Sequence, residues 1–98
     1  MGVNTWVVIV EENVQLWNDR RWEIAKYIAA EDYERAVVLA HQTAMYHVPQ
    51  HPKDPQSRTL LRTPDGSWLV HMKGAASEWR FRVTVAEHHG DHPGKPQA

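Results

Sequence analysis

The chain predicts an α+β domain in the order β-β-α-β-β-β, with one helix packed on one face of a mainly antiparallel sheet. Three observations carry this. Between Ala30 and His47 lies the one stretch with the length, caps and periodicity of a helix. Ahead of it stand two runs rich in β-branched and aromatic residues, Thr5 to Val10 and Trp22 to Ala29. Behind it, the segment from Arg58 to Glu87 reads as three short strands joined by two turn signals.

The first strand, TWVVIV, is apolar on both faces, with Trp6, Val8 and Val10 on one and Val7 and Ile9 on the other. Such a pattern belongs to a central strand covered on both sides. The acidic pair Glu11-Glu12 is expected to stop it. The following ENVQLWNDRR reads as a loop whose Trp17 folds back on the core, because a tryptophan carries more apolar area than a loop can spare. Trp22 to Ala29 then places Trp22, Ile24 and Ile28 on one face and Glu23, Ala25 and Tyr27 on the other. Periodicity alone does not separate a strand here from the first turns of a longer helix. Asp32 as a helix start and the β-rich Tyr27-Ile28 favour the strand.

Asp32 is the natural N-cap, since its short carboxylate accepts free N–H groups of the first turn and complements the helix dipole. Tyr33, Ala36, Val37, Ala40 and Ala44 recur at helical spacing and form an apolar stripe, three of the five being alanine. A stripe that short in side chain lets the helix axis lie close against a sheet. Glu34, Arg35 and Gln42 point away, and Val38 and Met45 lie on a flank the stripe does not cover. Pro49 ends the helix through its restriction of the preceding residue.

Val48 to Ser57 holds three prolines and reads as a stiff connector rather than a proline-rich recognition motif. Pro64-Asp65-Gly66 sets the first turn of the meander, with proline pre-shaped for the leading position and glycine free to take the left-handed one. A three-residue loop there puts Leu61 opposite Leu69 and Leu60 opposite Val70. Gly74 to Ser77 makes the second turn and leaves Lys73 opposite Glu78. On these registers Leu60, Trp68, Val70, Met72, Trp79, Phe81, Val83 and Val85 share the face that meets the helix. Thr59, Leu61, Thr63, Leu69, His71, Arg80, Arg82 and Thr84 share the other. One helix cannot cover both faces of a five-stranded sheet, so the second face is expected to stay open.

Ninety-eight residues suffice for one domain with a modest core, read here as residues 1–87, followed by a polar tail at 88–98 with too little apolar surface to order itself. The net charge of −1 provides no long-range pull on nucleic acid or anionic membranes. With no cysteine, disulfides, thiol nucleophiles and cysteine-held metals are excluded. The first apolar run is too short for a membrane span or a signal peptide, which makes the cytoplasm the expected compartment.

The sequence predicts no catalytic residue, cofactor or metal. No GxSxG, P-loop, dinucleotide fingerprint or HExxH occurs, and Ser57, Ser67 and Ser77 are all expected at turns. His88, His89, Asp91 and His92 form a chelating tract without a supporting shell, and read as tail. RNA binding through Arg80, Arg82, His71 and Lys73 lacks outward aromatics for base stacking. Association remains. A half-apolar sheet face edged with arginine has the composition of a protein interface. Its expected contacts are Leu61, Leu69, His71, Arg80 and Arg82, with Val38 and Met45 on the helix as a smaller patch. The occupant is a protein partner or a second copy, in a regulatory or adaptor role. A small-ligand pocket on the same face is the alternative.

Overall fold

The computed structural model describes residues 5–16, 18–49 and 54–95. It contains β1 (Trp6–Leu16), β2 (Asp19–Ala30), α1 (Tyr33–Tyr46), β3 (Pro55–Arg62), β4 (Trp68–Gly74) and β5 (Glu78–Glu87). The strands form a single sheet in the order β2-β1-β5-β4-β3. Every neighbouring pair is antiparallel. The chain leaves one edge at β2, crosses a face of the sheet as α1, and re-enters at the opposite edge as β3.

Helix α1 starts where the sequence says it should. Asp32 is its N-cap, and the carboxylate accepts the Arg35 N–H at 2.7 Å. The buried stripe is Ala36, Ala40 and Ala44. It lies on Val8, Val10, Val70, Met72, Phe81 and Val83, all essentially without solvent exposure. Trp68, Trp79, Leu60 and Val85 pack around this core, as the meander registers require. Both hairpin registers are observed, with Leu61 opposite Leu69 and Lys73 opposite Glu78. Gly66 takes the left-handed conformation, φ +86°, that the first turn needs.

The last turn of α1 carries no basic residue of its own. Arg58 of β3 supplies one from the sheet, donating from Nη1 to the Ala44 carbonyl at 2.8 Å while its guanidinium lies over the Phe81 ring. One side chain thus satisfies an orphan carbonyl, complements the negative end of the dipole and ties helix to strand. Next to it His47, the C-cap, meets Glu12 at 2.9 Å and sets its ring edge against Phe81.

Four expectations need correction. Strand β1 does not stop at Glu11-Glu12 but runs to Leu16, and the supposed loop after it is the two arms of a hairpin with β2. The acidic pair fits inside the strand because each carboxylate has a partner, Arg82 for Glu11 and His47 for Glu12. Trp17, expected to fold back on the core, lies outside the described residues. Second, β1 is inside the sheet but covered on one face only: Val8 and Val10 are buried, whereas Val7 and Ile9 stay partly exposed.

Third, β2 carries a bulge. Val10 pairs with Lys26 and Glu11 pairs with Ile24, so Ala25 is an extra residue and the alternation of faces changes phase there. Ile28 therefore faces the helix while Trp22 and Ile24 face away from it. Fourth, β3 starts at Pro55 rather than Arg58. A proline is tolerated as the first residue of an edge strand, where its missing N–H breaks no ladder. Residues 88–95 leave β5 as an exposed irregular segment held at its start by the His88 N–H bonded to the Thr5 carbonyl at 2.7 Å.

Candidate functional site

Among the described residues, nothing covers the sheet face opposite α1. Antiparallel pairing brings one residue from each strand into a single row across it. Ile24 pairs with Glu11, Glu11 with Arg82, Arg82 with Leu69 and Leu69 with Leu61. The row is apolar at both ends and charged in the middle.

The central charges are engaged with each other. Arg82 donates from Nε to Glu11 Oε1 at 2.9 Å and from Nη2 to Oε2 at 3.2 Å, a two-pronged contact that suits the planar guanidinium. The same guanidinium sits 4.3 Å from the centre of the Trp22 ring, which the bulge has turned to this side. Arg82 is thereby fixed between an acid and an aromatic face. Leu61 and Ile24, at the two ends of the row, are 50% and 51% exposed, and Tyr27, on the same strand as Ile24, is 62% exposed.

A shallow depression of about 440 Å³ opens between Trp22 and the β3–β4 turn, with Leu69, Arg82, Glu11 and Thr84 in its lining. The turn forms its rim. There the Thr63 hydroxyl and the Ser67 N–H donate to the Asp65 carboxylate and hold its pKa below the ordinary carboxylate value. At Arg58, on the helix side, burial pulls the guanidinium pKa down from its usual value.

The chain matches no known family model, no curated protein and no solved structure. Its geometry must therefore carry the functional reading alone.

Leu61, Leu69, His71, Arg80 and Arg82 do share the open face, as their registers require. They do not form a free basic strip. Arg82 is held by Glu11, and His71 Nε2 lies 3.3 Å from Glu78 Oε2. Val38 and Met45 are exposed on the side of α1 turned away from the sheet, so they belong to a separate patch on the other side of the molecule. Four residues of the open face went unidentified in the sequence: Glu11, Trp22, Ile24 and Tyr27. Glu11 was within reach, since it has the same parity along β1 as Val7 and Ile9. Trp22 and Ile24 were not, because only the small Ala25 marks the bulge that turns them.

No three His, Asp or Glu side chains gather among the described residues. In the tail, His89 faces Glu87 at 2.6 Å and His88 faces Asp91 at 3.9 Å. No helix among the described residues is long and apolar enough to cross a membrane.

Proposed function

We propose that the chain is a non-catalytic interaction module, regulatory or adaptor in role, that docks a protein through the open face of its sheet. A second copy of the chain is the simplest occupant. One observation carries this reading: the row Ile24, Glu11, Arg82, Leu69, Leu61 crosses all five strands with large apolar side chains half-exposed at both ends. Monomeric proteins rarely leave a broad apolar patch to water, and interfaces are enriched in aromatic residues and arginine.

Electrostatics supports the same occupant. Arg82 already has its counter-charge, so covering the face strands no lone cation in a dry contact. A net charge of −1 gives two copies little reason to repel. The molecule is 51 × 32 Å in outline, and half of that area exceeds the roughly 800 Å² per partner of a standard interface. Light scattering on wild type and Leu69→Asp tests the proposal. A dimeric mass that falls to the monomer value in the variant supports it, and an unchanged mass counts against it.

The depression beside Trp22 favours a second reading, a small-ligand module. Its volume lies near the lower end of the ligand-site range of about 300–1,000 Å³. Trp22 fluorescence separates the two readings: a ligand quenches it saturably with no change in mass. RNA binding on this face is the weaker reading, since Arg82, the central cation of the row, is already held by Glu11.

A further inference from the structure

A second concavity lies at the far end of the strands, beside the β4–β5 turn. It is about 470 Å³ in volume, and Arg20 of β2, Lys73 of β4 and Arg80 of β5 all line it. These three are far apart in sequence, and the topology brings them to one place because β2 and β1 extend past the point where β5 stops pairing. We propose that this concavity is a binding site for a small phosphorylated ligand, with Arg20, Lys73 and Arg80 as its cationic walls.

The cations are available. Among the described residues Lys73 and Arg80 have no carboxylate within ion-pair distance, and Arg20 donates only to the neutral Asn13 side chain, at 3.1 Å. Two other cations of the sheet are compensated instead: Arg82 by Glu11, and Arg21 by Glu23 at 3.0 Å. Glu78, the one acid of the lining, lies 3.3 Å from His71 Nε2 and is the cross-strand neighbour of Lys73.

Three uncompensated cations around a single concavity cost repulsion that an anion relieves. Two of them are arginines, whose planar fork fits phosphate oxygens, and the third is a lysine, the usual point charge in such sites. Gly74, Ala75, Ala76 and Ser77 of the β4–β5 turn complete the lining beside the charges. Concavity separates this arrangement from the linear basic track a nucleic-acid backbone follows, and the chain's net charge of −1 provides no wider field for a polymer.

Inorganic pyrophosphate is the probe. Amide chemical shifts of the full chain are followed by NMR as pyrophosphate is added at constant ionic strength. Saturable shifts centred on residues 73–80 are expected, and Arg80→Gln or Lys73→Gln should each weaken binding about tenfold, the loss expected for one charge-assisted hydrogen bond. Arg20→Gln, on a different strand, should do the same, which guards against a local folding defect in β4 or β5. Mass by light scattering should stay that of the wild type in Arg20→Gln and Lys73→Gln, which are not among the expected contacts of the association surface, so this test does not share its outcome with that of the open face. Equal shifts from sodium chloride, unchanged affinity in the variants, or a response to single-stranded oligonucleotides but not to pyrophosphate would each overturn the proposal.

Discussion

Arg82 and Glu11 lie 71 positions apart in the chain and meet in a two-pronged ion pair at the centre of the open sheet face, with the Trp22 ring against the guanidinium. The pair ties β1 to β5 at their common row. Its side chains are 43% and 20% exposed, so water screens part of their attraction. Glu11→Ala is expected to lower stability by only about 1 kcal/mol. Its larger effect should be on Trp22, whose cation neighbour is freed. Urea unfolding reads the first effect and indole emission the second.

Phe81 lies at the opposite extreme of burial. It has no solvent exposure and touches His47 and Arg58 as well as the alanine stripe's side of the core. Phe81→Ala should cost about 3–5 kcal/mol in chemical denaturation. Ala40→Leu tests the same layer from the helix side: Ala40 is buried against the sheet, and added methylenes there should overpack it at a cost of about 1–3 kcal/mol.

Arg58 closes the end of α1 from outside the helix. Replacing it with Met keeps apolar bulk over Phe81 but leaves the Ala44 carbonyl without its donor. A loss of about 1–3 kcal/mol is expected, concentrated in the last helical turn. Hydrogen exchange should quicken at residues 44–47 and stay unchanged around Asp32. Uniform quickening along the helix would show that Arg58 acts on the whole core instead.

The β3–β4 turn gives a pH dependence of definite sign. The bonds from Thr63 and Ser67 hold the folded Asp65 carboxyl below its unfolded pKa of about 3.9. Its contribution to stability is therefore fully present above that value and is lost as pH falls through the lower folded one. Asp65→Asn should lower the melting temperature at neutral pH, and the gap to wild type should close on acidification below about pH 4. A gap independent of pH would contradict the assignment.

The meander was legible because its information is local. Pro64-Asp65-Gly66 fixes a loop length, loop length fixes the register, and the register divides Leu60 from Leu61 and Phe81 from Arg82 between the two faces. The N-terminal hairpin was not legible in the same way. Glu11, Glu12 and Asn13 read as a strand's end because strand preference falls with polar residues, yet long-range partners hold the two glutamates in place, Arg82 on one face and His47 on the other. Nor does any turn signal announce the bulge at Ala25, which moves Trp22 and Ile24 to the open face. So the end of the row at Leu61, Leu69 and Arg82 could be read from sequence, whereas the pairing of Arg82 with Glu11 and the far end at Ile24 required coordinates.

Solution mass measured by light scattering against concentration tests the central claim most directly. The chain has a mass of 11.3 kDa. Wild type is expected to approach twice that value as concentration rises, and Leu69→Asp, placed in the row beside Arg82, is expected to hold at the single-chain value throughout. A wild-type chain that stays at the single-chain mass at every concentration, or a Leu69→Asp variant that dimerises as readily as wild type, would contradict self-association through the open face.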